Sequence, residues 1–530
     1  MKEGVPIVLT ASPIEMSDFK LNQFVAFTGG FPRMGIPLSV LRKRWYPPTP
    51  CNEDGSAKFA PYGLRKVESL LVDEFGKENV VVSRPDNLGK FIGPNTKVIG
   101  ISTMDPSGIG FVSRTYTSIL GIHGEPLCGL EFRQFMNNPL FKKYGSKILV
   151  GGAGAWQIQR ANMRDAFGID SVIIGEGERT VTEVFKKALN GETLPPVINT
   201  EKPSLDDVPK IKCASLYGIV EITRGCGRGC KFCSPTMRQL TSFPLEHILE
   251  EARLNASNGS RMITLQTDDV FLYYRGKKFM PNREALVKLI HSIGEIPDVE
   301  YIQIAHAALA PVVVEPKIVE EIGPILVEKG RWVCRGKRFA SVEVGLETGS
   351  TRLMTEYMRW KMYPYKPEDW CNVVVDAIGT FNDNGIYPLG TLVTGLPGET
   401  EDDTRATLDL VDRLGKSNLF YVPLLFTAEE DCLLKKEKHA ELGDINDLQW
   451  ELISTCWRHN IDIFSKDGAK VLIPFFSMFL YPYYAVRHGS KILKPFLKFT
   501  GFSETMLGRR IDKVCEPYPP DQMGNGRVGV

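Results

Sequence analysis

The sequence has few cysteines, little net charge and no signal peptide, and each absence excludes a class of protein. Its 530 residues include 11 cysteines, too few and too irregularly spaced for a disulfide scaffold, so we expect a reducing cytoplasm. A net charge of +1 gives no reason to expect nucleic acid as a partner. Residues 1–19 lack the basic start and long apolar centre of a secretion signal.

A long apolar run is also missing. The longest, Val471–Val486, contains Pro474 and Pro482 and is shorter than the roughly 20 residues that a membrane-spanning helix needs. It is rich in aromatic residues and is flanked by lysines and arginines. Two interpretations stay open: the run packs inside the protein, or it makes a peripheral contact with a membrane surface or a lipid-like substrate.

In the N-terminal part of the chain, short apolar strands alternate with longer helical segments. Strands at 98–102, 147–152 and 171–178 are followed by a helix at 180–189, which predicts a parallel, doubly wound sheet. Ligands of such sheets bind outside the carboxyl ends of the strands. The predicted strand ends carry Ser102, Thr103, Asp105, Gly151, Gly152, Gly154, Gly175, Glu176 and Gly177.

Glycines at successive strand ends let a bulky planar or phosphate-bearing group approach the backbone. The stretches VGGAGAWQ and IIGEGERTVTEVF resemble the cobalamin-binding domain that precedes the catalytic domain in one large class of radical S-adenosylmethionine enzymes. The resemblance implies that the strand-end residues bind cobalamin. His123 lies in GIHGEP, without the Asp and final Gly of the D-x-H-x-x-G motif, so we expect no histidine ligand to the cobalt.

A loop further along the chain carries three cysteines at spacing C-x3-C-x2-C, Cys226, Cys230 and Cys233. A four-iron cluster held by three thiolates leaves one iron open to a substrate or cofactor. The alternative, a zinc knuckle, needs a fourth ligand at suitable spacing. The nearest histidine, His247, falls on a predicted helix at 245–255, so we expect an iron–sulfur cluster.

The cysteine spacing, with Phe232 before the third cysteine, resembles the signature of the radical S-adenosylmethionine superfamily. In that family the open iron binds S-adenosylmethionine, and the reduced cluster cleaves it to a 5′-deoxyadenosyl radical. The strand ends ITLQTDDVF, FASVEVGLETGS and LGTLVTGLPGETEDD fit the resemblance in the right order, with Thr-Asp-Asp in place of the usual Gly-Gly-Glu. The contacts it implies are Phe232, Thr267, Asp268, Asp269, Glu343, Glu347, Gly395, Pro397 and Gly398.

Repeating strand and helix units from 218 to 422 predict a partial (β/α)6 barrel whose strand ends hold the cofactor. We therefore expect an α/β chain with four parts: a Rossmann-like cobalamin-binding domain at 1–195, a linker at 196–212, a radical S-adenosylmethionine barrel at 213–425, and a mostly helical C-terminal extension at 426–530.

The two resemblances together imply a cobalamin-dependent radical enzyme, and our leading hypothesis is C-methylation of an unactivated carbon. The deoxyadenosyl radical takes a hydrogen from the substrate, and the carbon radical takes a methyl group from methylcobalamin. An electron donor for the cluster is an expected partner.

The general form of the chain suggests an archaeal source, where two substrate classes compete. One is a protein residue, as in relatives that methylate methyl-coenzyme M reductase. The other is an isoprenoid membrane lipid, on which the radical forms a C–C bond. An alternative of another class is a non-catalytic scaffold that binds the cluster and the cofactors.

Overall fold

The computed structural model describes residues 3–33, 35–120, 125–430 and 432–465, together with positions 482 and 486. His123 and the tail from 512 to 530 lie outside the described residues, as does the apolar run at 471–486 apart from those two positions. Within the described part, no helix combines the length and the apolar character that crossing a membrane requires.

Six parallel strands form the N-terminal sheet, in the order β2-β1-β3-β4-β5-β6. They are β1 Ile7–Ala11, β2 Val80–Val82, β3 Val98–Ser102, β4 Lys147–Gly151, β5 Ser171–Ile174 and β6 Val197–Asn199. The order confirms the doubly wound sheet, and β6 adds residues of the predicted linker to its edge. The strand order reverses between β1 and β3, where sheets of this type bind their ligands.

Helices cover both faces of this sheet, which is why its central strands are continuous apolar runs. The helices are α1 Gln23–Ala26, α2 Leu38–Arg44, α3 Tyr62–Phe75, α4 Leu88–Phe91, α5 Phe111–Leu120, α6 Leu127–Met136, α7 Leu140–Lys143, α8 Ala155–Arg160, α9 Met163–Phe167 and α10 Val181–Leu189. One apolar core packs α3 and α10 against the sheet, and a second packs α6 and α8 against it.

The second half of the described chain is a partial barrel of six parallel strand positions. Its strands and hairpins are β7 Ile219–Glu221, β8 Thr223–Arg224, β9 Thr241–Ser242, β10 Met262–Gln266, β11 Tyr301–Ile304, β12 His306–Ala307, β13 Trp332–Cys334, β14 Lys337–Phe339, β15 Glu343–Glu347, β16 Leu389–Thr394 and β17 Phe420–Leu425. The barrel order is β7-β10-β11, continued by β12-β15-β16-β17. Ala305 joins the two sheets, because its N–H donates to Leu265 and its carbonyl accepts from Glu343, both at 3.1 Å. The predicted (β/α)6 barrel is confirmed.

The barrel helices are α11 Leu245–Ser257, α12 Arg283–Gly294, α13 Ala310–Val314, α14 Pro316–Glu328, α15 Thr351–Tyr357, α16 Trp370–Asp383 and α17 Glu401–Leu414, followed by α18 Asp447–Phe464. Helix α18 packs beside β17, where the Asn460 amide donates to the Tyr421 carbonyl at 2.7 Å.

Polar contacts join the sheet domain to the barrel. The Tyr62 hydroxyl and the Lys66 ammonium, both on α3, donate to the Glu251 carboxylate on α11 at 2.7 and 2.6 Å. On the other side of the barrel, the Leu425 N–H donates to Thr115 on α5 at 2.9 Å. The two domains therefore meet along more than one element.

Candidate active site

The three cysteines lie on a tightly wound loop after β8. Its glycines, Gly225, Gly227 and Gly229, all have positive φ, at 78, 73 and 77°, a backbone region that other residues seldom adopt. At Gly225 a Cβ would also lie 2.7 Å from the carbonyl oxygens of the facing chain at 238–239. The alternation of glycine and cysteine therefore permits the winding that gathers the thiols.

The three thiols are buried close to one another, as the ligands of one cluster would be. Each is mostly buried, and burial raises the pKa of Cys226 to about 12 and the pKa values of Cys230 and Cys233 above their usual range. The other two thiols raise the pKa of Cys233 further, so the three are close together. Among the described residues, no group of three His, Cys, Asp or Glu side chains is arranged to hold a single metal ion.

A buried ion pair holds the cysteine loop against the barrel. Arg228 donates to Asp269 at 2.7 Å, and both side chains are nearly excluded from solvent. The second oxygen of Asp269 accepts from the N–H groups of Phe271 and Ala308 at 3.1 and 2.9 Å. Asp269, a predicted S-adenosylmethionine contact, is therefore used to position the loop.

Thr267 and Asp268, the other two residues of the Thr-Asp-Asp stretch, differ in their exposure to solvent. Thr267 is buried and lies 2.5 Å from the Thr223 hydroxyl. Asp268 accepts from the Gly225 N–H at 2.9 Å and is partly exposed at the barrel mouth. Burial raises the pKa of Asp268. Asp268 is therefore the member of this stretch best placed to bind an amine beside the cluster. Phe232, predicted to contact the same cofactor, is partly buried against the barrel core.

Strand β15 brings two predicted carboxylates together. Glu343 is its first residue, a correction to the prediction that Glu343 ends the strand, and it lies 3.5 Å from the ring of His306. Glu347 is its last residue and pairs with Lys361 at 2.9 Å. Lys361 could not be predicted from the sequence, since no spacing links it to a motif. Burial lowers its pKa, but Glu347 and Cys230 raise it more, so Lys361 is a cation beside the cluster loop.

Hydrogen bonds to and from side chains hold the segment after β16 in a turn. Glu399 accepts from the N–H groups of Gly395 and Leu396 at 2.5 and 3.1 Å, and Tyr357 donates to the Pro397 carbonyl at 2.7 Å. Gly398 has φ 69° and open space where a Cβ would be. These bonds hold the backbone of 395–398 in a fixed turn at the same end of the barrel as Glu347.

At the sheet edge, two predicted cobalamin-contact glycines serve another purpose. A Cβ on Gly152 would lie 2.6 Å from the Thr103 carbonyl oxygen, and one on Gly154 would overlap the Met104 carbonyl. These glycines let the loops after β3 and β4 pack together. A Cβ on Gly175 would overlap Thr200. At Gly151 and Gly177, by contrast, a Cβ would make only ordinary van der Waals contacts, at 3.8 Å, with Ile173 and Val181.

Two predicted carboxylates of this edge already have hydrogen-bond or ion-pair partners within the protein. Asp105 accepts from the Gly110 N–H at 3.0 Å and from Ser113 within its own loop. Glu176 pairs at 3.0 Å with Arg224, two residues before Cys226. Arg224 also pairs with Glu178 and Glu221, at 2.7 and 2.8 Å. The carboxyl edge of the sheet and the cluster loop thus face one another.

Glu15, which was not predicted as a site residue, lies at the β1/β3 switch point. Glu15 accepts from the Met104 N–H at 2.8 Å and from the Thr103 hydroxyl at 3.3 Å. Burial raises the pKa of Glu15 to about 7. The strand-end rule that selected Ser102 could have found Glu15, because it follows β1 by four residues.

One protein-family model matches the barrel. Residues 220–411 match the model of the radical SAM superfamily. A tRNA-2-methylthio-N(6)-dimethylallyladenosine synthase of Thermotoga petrophila is 27% identical over 270 residues, 50% of this chain and 56% of that protein. The ribosomal protein uS12 methylthiotransferase RimO of Bacteroides fragilis is 28% identical over 244 residues, 44% of this chain and 51% of that protein. The chain thus spans about half the length of these relatives.

A solved structure shares the fold over more of the chain. The radical S-adenosylmethionine methyltransferase TsrM of Kitasatospora setae matches with a TM-score of 0.52 and 15% identity, over 80% of this chain and 74% of that one. That structure holds tryptophan and an S-adenosylmethionine analogue, and a second structure of it holds cobalamin and a [4Fe–4S] cluster. At this identity the likeness shows the fold.

Proposed function

We propose that this chain, which carries a radical S-adenosylmethionine domain at residues 220–411, is a cobalamin-dependent enzyme that methylates a carbon atom. When bound, the cluster and S-adenosylmethionine supply a deoxyadenosyl radical, and cobalamin supplies the methyl group. The observation that carries the proposal is the ion cluster of Arg224, Glu176 and Glu178. It joins the carboxyl edge of the sheet to the loop of the cluster cysteines.

Different residues of the barrel mouth bind the cluster and the separate groups of S-adenosylmethionine. Cys226, Cys230 and Cys233 hold the cluster, and Asp268 lies where it can accept hydrogen bonds from the amino group. Glu347, oriented by Lys361, is the carboxylate suited to the ribose hydroxyls. The fixed turn at 395–398 supplies backbone groups for the adenine.

The strand order of the sheet supports a second cofactor at its carboxyl edge. The β1/β3 switch point is the usual ligand crevice of such sheets. Gly152, Gly154, Asp105 and Glu176 shape the edge and its contact with the barrel. The substrate would lie between this edge and the barrel mouth, where both cofactors reach it.

The proposal is tested by anaerobic reconstitution with iron, sulfide and hydroxocobalamin, followed by incubation with a reductant and methyl-labelled S-adenosylmethionine. We expect a bound cobalamin spectrum and formation of 5′-deoxyadenosine. A Cys230→Ala variant should lose iron and 5′-deoxyadenosine, whereas Cys371→Ala, outside the loop, should keep both. Reconstituted protein with a full cluster and no bound cobalamin would overturn the cobalamin part of the proposal.

Methylthio transfer is a second candidate, favoured by the sequence relatives named above. It differs from methylation in adding sulfur to the product. The mass of the product therefore separates the two: methylation adds one CH2 group, and methylthiolation adds CH2 and sulfur. For the substrate we propose a protein residue. The alternative is an isoprenoid lipid on which the radical forms a C–C bond, and that product would gain neither a methyl group nor sulfur.

A further inference from the structure

Two surface segments beside the cysteine loop combine aromatic and basic residues and contain no acid. Residues 273–280 read YYRGKKFM and residues 357–366 read YMRWKMYPYK. We define the basic aromatic patch as the surface formed by Lys277, Lys278, Phe279, Arg359, Trp360 and Tyr363, of which Phe279 and Tyr363 are half-buried and the other four exposed.

Ring contacts link the two segments into one surface. Lys278 lies over the Tyr363 ring at 5.1 Å, and the Phe279 and Tyr363 rings are 6.0 Å apart. Arg359 lies over the Trp360 ring at 5.5 Å, and Trp360 is 6.2 Å from Tyr363. Trp360 is 42% exposed, which is unusual for so large an apolar side chain.

Hydrogen bonds within the loop at 275–280 hold this part of the patch in place. Arg275 folds back on its own loop, where it donates to the Lys278 carbonyl and, at 3.2 Å, to the Gly276 carbonyl. The Gly276 N–H donates to the Met280 carbonyl at 2.8 Å. Lys278 is held with φ 55°, so its position is fixed by the loop around it.

The patch also touches the cluster loop. Arg228 donates to the Trp360 carbonyl at 3.4 Å, and its guanidinium lies 4.8 Å from the Phe279 ring centre. The Trp360 ring lies 3.6 Å from the point where Gly229 would carry a Cβ. Cys230 follows directly. A partner seated on the patch would therefore lie next to the cluster ligands.

We propose that the basic aromatic patch docks an acidic one-electron carrier that reduces the cluster. One electron passes from the reduced carrier, which is oxidised, to the cluster, which is reduced, and no proton or bond is involved. Charge complementarity raises the rate of encounter more than it raises affinity, and electron-transfer contacts are small. A patch with several cations, no acid and one large exposed aromatic side chain suits such a contact. The proposal rests on the proposed function only in requiring a reducible cluster at Cys226, Cys230 and Cys233.

The test compares Lys277→Glu/Lys278→Glu with a matched double variant, Lys142→Glu/Lys143→Glu, on the exposed helix α7 of the other domain. The probe is an acidic plant-type [2Fe–2S] ferredoxin, reduced and mixed with cluster-loaded full-length protein in a stopped-flow instrument. We expect the patch variant to be reduced about tenfold more slowly at low salt, with a smaller dependence of the rate on salt. The α7 variant should match wild type.

Dithionite, a small reductant that needs no docking surface, separates the alternatives. Equal reduction of all three proteins by dithionite shows that the cluster is intact, so a loss confined to ferredoxin supports the proposal. Unchanged ferredoxin rates in the patch variant would overturn it, and so would a parallel loss with dithionite. Retention of an RNA oligonucleotide by wild type but not by the patch variant, with equal ferredoxin rates, would identify a nucleic-acid surface instead.

Discussion

At the scale of single residues, Glu347 and Lys361 form a largely buried ion pair at the end of β15, 2.9 Å apart. Both are largely buried, and a cation so close to the cluster thiols compensates the carboxylate that burial would otherwise make costly. Gly345 makes the pair possible, because a Cβ there would overlap the Glu347 carboxylate and lie 2.5 Å from the Lys361 ammonium. A side chain at position 345 would therefore disturb this pair, which explains the glycine in the VGLETG stretch.

Gly345→Ala should weaken S-adenosylmethionine binding by about tenfold, since the new methyl group forces Glu347 and Lys361 apart. Equilibrium binding to cluster-loaded protein measures the effect. The control is Gly379→Ala on α16, where a Cβ meets no neighbour within 4 Å. Equal affinities for the two variants would show that the pair does not shape the cofactor site.

Glu15 should make the fold sensitive to pH. Its pKa is about 7 when folded and 4.5 ordinarily, so between these values the folded protein holds a proton that the unfolded chain has released. Stability contributed by this group therefore falls as the pH rises from about 4.5 to 7. Because Glu15 is partly exposed, we expect a loss of less than about 3 kcal/mol.

The measurement for Glu15 is the urea midpoint of wild type and Glu15→Gln across this pH range. The glutamine variant keeps the acceptor oxygen for Met104 and cannot titrate, so its midpoint should fall less on going from pH 5 to pH 8. Parallel curves for the two proteins would rule out the titration of Glu15 as the cause.

At the scale of elements, the sequence predicted regular structure better than it predicted the use of strand ends. The apolar runs predicted β3 and β4, because strands covered on both faces are continuously apolar. The helices predicted at 180–189 and 245–255 are α10 and α11. Strand-end residues were chosen by position along the chain. Asp269 pairs with Arg228, and Gly152 packs against the loop at 103–106. The fold places these neighbours there, and position along the chain does not predict them.

The ion-pair partners of Arg224 could likewise not be predicted from its position along the chain. Three carboxylates from two domains lie around it, and it is 15% exposed. Arg224→Met leaves Glu176, Glu178 and Glu221 uncompensated, so we expect a loss of about 3 kcal/mol in unfolding free energy.

The control for Arg224 is Arg253→Met, which breaks a pair with Glu246 in which both side chains are more than half exposed. That change should cost less than about 1 kcal/mol. Urea unfolding measures both variants, and equal losses would show that the Arg224 ion cluster does not hold the domains together.

At the scale of the whole molecule, the two domains meet with their strand ends facing. The sheet presents its carboxyl edge, and the barrel presents the cluster loop, with Arg224 between them. The sequence order of the motifs predicted both domains and their types. It did not predict the contacts between them, because residues such as Tyr62 and Glu251 are 189 positions apart and share no pattern.

The most direct test of this account is the electron paramagnetic resonance spectrum of full-length protein reconstituted with both the cluster and cobalamin. With Co(II) and a reduced cluster facing each other across one pocket, we expect cluster reduction to broaden or split the cobalt signal. The Cys230→Ala protein, which holds no cluster, supplies the unperturbed cobalt spectrum. A bound cobalamin whose signal is the same with and without the reduced cluster would contradict the account.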